Sequence, residues 1–171
     1  FRGASISARS RAAPPQVQRL PADKPFAVPT TAGAHVNIDR YRNDHATILG
    51  QVEELRQLIR SGIEAQADAI AEHLVRVSSG IKFHLLAEDS VLYPAMEKAD
   101  AAEVVALSRR YRAEMAGIAQ RFREFVARWR VGARIGAEPE TFRHEANEIF
   151  RALYERLQRE DRELYPAAEQ L

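Results

Sequence analysis

The chain of 171 residues is 46% hydrophobic and 29% charged, with no cysteine and a formal charge of +1 at pH 7. This length suits a single domain with one substantial core, and the missing thiols exclude disulfides, thiolate zinc sites, iron–sulfur clusters and cysteine nucleophiles, so any metal must be held by nitrogen and oxygen. A balanced charge gives no electrostatic case for nucleic acid, and no apolar run approaches the roughly 20 residues that cross a bilayer, so a cytoplasmic protein with neither a nucleic-acid nor a membrane partner is expected.

Residues 1–34 hold five of the eight prolines and carry Arg2, Arg9, Arg11, Arg19 and Lys24 against Asp23, a net +4 that leaves −3 for the rest. With no apolar periodicity this stretch cannot bury enough surface to fold alone, and a disordered Pro/Arg-rich tail is expected, followed by one domain over 35–171. Its acid-poor, Arg- and Ser-rich start has the composition of a targeting peptide. Because it opens on Phe1 rather than methionine, a processed end or severed linker is expected instead.

From Asn37 onward, apolar residues recur at alternating three- and four-residue steps, the seam of helices packed at a shallow angle. The first run is Ile38, Tyr41, His45, Ile48, Val52, Leu55 and Ile59, stopped by Ser61-Gly62. The second is Ile63, Ala67, Ile70, Leu74, Val77, Ile81, His84, Glu88 and Val91, ended or kinked at Tyr93-Pro94. The third runs through Val104, Ser108, Tyr111, Met115, Ile118, Phe122, Phe125 and Trp129 to a break at Val131-Gly132 and a loop at Gly136-Ala137-Glu138-Pro139. The fourth is Phe142, Ala146, Ile149, Leu153, Arg156, Glu160 and Leu164. Four long helices with short connections predict an all-α, up-down-up-down antiparallel four-helix bundle.

The phrase Glu88-Asp89-Ser90-Val91-Leu92-Tyr93-Pro94-Ala95 returns as Glu160-Asp161-Arg162-Glu163-Leu164-Tyr165-Pro166-Ala167, which suggests two similar helical hairpins. His45, His84, Glu88, Arg156 and Glu160 occupy core positions, where polar groups need partners. Counting residues from the helix ends puts them, with Tyr111 and Met115, at one level of an antiparallel bundle, so they converge in a single polar layer. His35, His73 and His144 lie before or off the seam and are expected to face solvent.

The Asp44-His45 pair, His84-x-x-x-Glu88 before Leu-Tyr-Pro, and the second Glu-Asp-x-x-Leu-Tyr-Pro resemble the hemerythrin-like, or histidine-histidine-glutamate cation-binding, domain family over about residues 37–171. The resemblance implies a four-helix bundle with a non-haem di-iron centre for oxygen transport, oxygen or redox sensing, iron handling or nitric-oxide chemistry. Carried over by position, it gives His45, His84, Glu88 and a fourth-helix carboxylate as metal ligands. That carboxylate is Glu160 or Asp161, and heptad phase favours Glu160. The positions of the family's third- and fourth-helix histidines hold Tyr111, Met115 and Arg156. The residues that remain suit one divalent ion such as iron, manganese or zinc, with an open position for a small diatomic or redox ligand.

Arg156 is then expected to stand as a fixed cation where a second metal would sit. The rival reading is a metal-free bundle, serving as a structural or protein-interaction module, in which Arg156, Glu88 and Glu160 form a buried ion network. No nucleophile–base pair, phosphate loop or dinucleotide fingerprint appears, and the chain is not expected to be an enzyme.

Overall fold

The computed structural model describes residues 36–171; the expected tail over 1–34, and His35, lie outside the described residues. Among the described residues the regular structure is entirely helical. The elements are α1 (Ile38–Arg60), α2 (Ala67–Ala87), α3 (Tyr93–Met96), α4 (Ala102–Trp129), α5 (Gly132–Ala137), α6 (Pro139–Arg159) and α7 (Tyr165–Ala168). Asn37 caps α1, its side chain accepting the Arg40 amide, and the chain reverses beyond Arg60 at Gly62, whose φ of +115° suits glycine.

α2 does not end at the Tyr93-Pro94 dipeptide. A π-helical turn, Glu88–Leu92, joins it to α3, and a second, Glu160–Leu164, joins α6 to α7. In each, the tyrosine amide donates to the glutamate carbonyl five residues back, Tyr93 to Glu88 and Tyr165 to Glu160. The next residue is proline, which has no N–H for the usual i−4 bond. A widened turn just before it lets the helix continue where a regular one would break. The same widening shifts the apolar phase: Leu92 is buried, whereas Val91, expected on the seam, is exposed.

The long segments form a bundle in which α1 packs on α2, α2 on α4, α4 on α6 and α6 on α1. Contacts at both ends of a pair give its direction. Tyr41 at the start of α1 reaches Ala87 at the end of α2, while Gln51 meets His73; Tyr111 meets Arg159, while Arg128 meets Glu145. Two apolar clusters result. One includes Val52, Leu55, Leu74, Phe122 and Trp129; the other gathers Tyr41, Leu92, Tyr93, Tyr111, Leu164 and Tyr165. The polar layer lies between them along every long segment.

Two further expectations need correction. The stretch after Val131, read as a break and loop, contains the short helix α5, which packs against α2 through buried Ile135. Glycine at 132 permits this approach: a Cβ there would lie 2.0 Å from Asp68 Oδ1 and 2.8 Å from the Asp68 backbone. His73 is buried rather than solvent-facing, because its Nε2 meets the Gln51 carbonyl at 2.7 Å and its Nδ1 accepts from Arg76 at 2.9 Å. A histidine with both ring nitrogens satisfied can sit inside at little cost.

Gly132→Ala tests the α5 contact. Its clash is with backbone, which cannot rotate away, so a loss of at least about 1–3 kcal/mol is expected, with a fall in Tm of several degrees by calorimetry. An unchanged Tm would mean that α5 is not held against α2.

Candidate metal centre

The heptad seam turns His45 of α1 and His84 of α2 inward, and each π-helical turn opens on an inward carboxylate, Glu88 or Glu160. Glu88 is 0% exposed, His45 and Glu160 are 1% exposed and His84 is 2% exposed. One donor atom from each lies within 4.8 Å of all the others. His45 Nε2 stands 3.1 Å from His84 Nε2 and 3.3 Å from Glu160 Oε2, and His84 Nε2 is 3.6 Å from Glu88 Oε1. The four carried-over residues are therefore brought together, and Glu160, not Asp161, enters the cluster.

Asp161 has a different place, 3.0 Å from His45 Nδ1. A carboxylate there fixes the N–H on Nδ1 and leaves the Nε2 lone pair facing the cluster, the arrangement that orients metal-ligating histidines. Asp44 stands behind His84 in the same sense, but at 3.7 Å from Nδ1 it is too far for a hydrogen bond, and that nitrogen is buried without a partner. Tyr165 contributes a hydroxyl 2.9 Å from both His45 Nε2 and Glu88 Oε1, with one proton for two acceptors. Two imidazole Nε2 atoms, 3.1 Å apart, and two carboxylates thus converge around one tyrosine hydroxyl. This donor set, all nitrogen and oxygen, fits a divalent or trivalent cation.

The other half of the layer is filled by Arg156, 1% exposed. Its Nε donates to Glu160 Oε1 at 2.6 Å and its terminal nitrogens to the Tyr111 carbonyl at 2.8 Å, the Tyr93 hydroxyl at 3.2 Å and Glu114 at 3.3 Å. The guanidinium lies over the Tyr111 ring, 4.2 Å from its centroid. Met115 joins the apolar core. The expected ion network is only half formed: Arg156 pairs directly with Glu160 but reaches Glu88 through the Tyr93 hydroxyl, which stands 3.4 Å from Glu88 Oε2.

The electrostatics follow from this division. Burial, and then the charge of Glu160, hold the Glu88 carboxyl well above the usual carboxylate range. Burial would raise Glu160 as well, but its contact with His45 and the charge of Arg156 outweigh that and hold it below. His84 is pushed down to about 4 by burial and by its neighbour His45. Without a metal the layer therefore disfavours charge on Glu88 and His84 and favours it on Glu160, beside Arg156.

The sequence model of the hemerythrin HHE cation-binding domain matches residues 36–168. The chain belongs to the hemerythrin family. Searches of curated proteins and of solved structures return no significant match. In this hemerythrin domain the retained histidines come from α1 and α2, whereas α4 and α6 supply Met115 and Arg156. Tyr165, Tyr93 and Asp161 were not assigned from sequence, although the repeated Leu-Tyr-Pro phrase places a tyrosine five residues after each cluster carboxylate.

Replacing Arg156 by methionine keeps bulk but leaves the Glu160 charge buried and unpaired. Urea unfolding of the metal-free protein is expected to show a loss of about 3–5 kcal/mol. Glu114→Gln, which removes only the half-exposed partner, is expected to cost less than about 1 kcal/mol.

Proposed function

We propose that this hemerythrin-family protein is an up-down-up-down four-helix bundle over 35–171 that binds one non-haem iron ion through His45, His84, Glu88 and Glu160. It would act in oxygen, nitric-oxide or redox sensing, or in iron handling, in the cytoplasm and without being an enzyme. The reading is carried by one observation: two imidazole Nε2 atoms face each other at 3.1 Å inside a buried pair of carboxylates. A bound iron would supply a redox-active centre able to take a small diatomic ligand. His45 and His84 would donate their Nε2 lone pairs, with Asp161 holding the His45 ring in orientation. Glu88 and Glu160 would supply the anionic charge, and the apolar clusters above and below would exclude water.

The count of one ion rests on Arg156. A guanidinium hydrogen-bonded to Glu160 at 2.6 Å provides a permanent positive charge in the half of the layer that lacks histidines. The same ion pair supports a second reading, a bundle that has given up metal and serves as a structural or protein-interaction module. The two differ in what happens to Glu88 and the histidine pair, which Arg156 does not neutralise directly.

Elemental analysis after expression in iron-supplemented medium separates them. About one iron per chain, lost in His84→Ala, is expected, together with a rise in Tm when ferrous ion is added to the metal-free protein. Two equivalents would overturn the assigned count, and no metal with an unmoved Tm would leave the metal-free module. Asp161→Asn, which weakens the partner behind His45, is expected to lower iron affinity 10–100-fold in a competition titration against a chelator.

A further inference from the structure

We propose that Tyr165 is a fifth ligand of the centre, bound through its phenolate oxygen, and that it biases the site toward ferric iron. The inference rests on the metal-binding reading above and concerns a residue outside its four-ligand set.

The distances carry it. Metal–nitrogen and metal–oxygen bonds of about 2.1 Å, meeting at angles between square and tetrahedral, separate neighbouring donor atoms by about 3.0–3.4 Å. Around the cluster, His45 Nε2 is 3.1 Å from His84 Nε2 and 3.3 Å from Glu160 Oε2, and His84 Nε2 is 3.6 Å from Glu88 Oε1. The Tyr165 oxygen, 2.9 Å from both His45 Nε2 and Glu88 Oε1, lies just under that spacing, as His84–Glu88 lies just over it, and it touches two of the four donors at once. It therefore stands at a further corner of the donor shell rather than behind one of the ligands, as Asp161 does.

Among the described residues no other tyrosine has this placement. The Tyr93 hydroxyl meets Glu88 through the outer oxygen Oε2 and accepts from Arg156, Tyr41 donates to the Ala87 carbonyl, and Tyr111 donates to Glu163. The repeat explains the contrast. Tyr93 and Tyr165 follow equivalent π-helical turns, but one faces the half of the layer filled by a guanidinium and the other the half lined by histidines.

The chemistry is consistent with the position. In the metal-free protein the phenol proton is shared between His45 and Glu88. An ion that takes the His45 Nε2 lone pair removes the first acceptor and weakens the second. Ligation through the phenolate would require the O–H bond to break and its proton to leave to solvent. A bound cation reverses the effect of burial on such a group. Arg156 remains on the outer oxygen of Glu160 and offsets its charge, so the Tyr165 phenolate adds an anionic oxygen donor beyond Glu88, and a further anionic oxygen favours the higher charge of ferric over ferrous iron.

Loading the full chain with a ferric salt, followed by visible absorption and resonance Raman spectroscopy, tests this directly. The expected result is a phenolate-to-iron charge-transfer band with enhanced phenolate ring modes. Tyr165→Phe should lose the band while keeping one iron per chain, and Tyr93→Phe and Tyr41→Phe should retain it. Where Tyr165→Phe does not fold or hold iron, persistence of the wild-type band in both of the other variants makes the assignment. One iron without the band, a band that survives Tyr165→Phe, or a band lost in Tyr93→Phe or Tyr41→Phe would overturn the ligand and leave the metal site standing. Absence of bound iron would overturn both.

Discussion

Two carboxylates share one buried layer of an otherwise apolar bundle, and that constraint organises the rest of the molecule. Removing a carboxylate from water costs several kcal/mol even after relaxation, and two placed side by side also repel. Glu160 is neutralised by Arg156, held by the Tyr111 carbonyl, the Tyr93 hydroxyl and Glu114. Glu88 has no direct cation, and burial beside Glu160 disfavours its charge. A metal ion shared with the two histidines would offset that penalty, so the free energy of filling the site and the relief of buried charge would have the same origin.

The repeated phrase gives the layer its approximate symmetry, and the substitutions within the repeat break it. Each copy places a glutamate at the start of a π-helical turn, a tyrosine at its end and a proline after that. The backbone solution is the same twice because the physical problem is the same: proline cannot make the next helical bond, and the widened turn absorbs the fault. What differs is the residue one turn before each glutamate, His84 in one copy and Arg156 in the other. A neutral ring that offers a lone pair and a permanent cation that offers only protons give chemically opposite halves from nearly identical backbones.

Much of this was legible in the sequence because helical periodicity is a local property. A seam written at three- and four-residue steps decides which side chains face inward before any tertiary contact exists, so His45, His84, Glu88, Arg156 and Glu160 could be placed in one core layer. The same phase favoured Glu160 over Asp161, and the structure puts Glu160 in the cluster. Misreadings arose where the period changes or a neighbour intervenes. Val91 was misplaced because the π-helical turn shifts the phase, and α5 was missed because tertiary packing, against α2 and through buried Ile135 in the core, stabilises six residues rich in glycine and alanine. His73 was read as solvent-facing although the Gln51 carbonyl and Arg76 satisfy it inside.

By itself, then, the sequence determined the four long helical runs and most of their inward faces, which follow from spacing along one chain, while the family and its ligand positions came through the resemblance carried by Asp44-His45, His84-x-x-x-Glu88 and the repeated Glu-Asp-x-x-Leu-Tyr-Pro phrase. Only the tertiary structure decided how those donors meet: that the two Nε2 atoms face each other, that Asp161 supports His45 from behind, that Arg156 takes Glu160 and not Glu88, and that the Tyr165 hydroxyl enters the cluster while that of Tyr93 does not. Directions of side chains across a bundle depend on helix rotation and on contacts between residues as far apart as Glu88 and Tyr165. No local period encodes them.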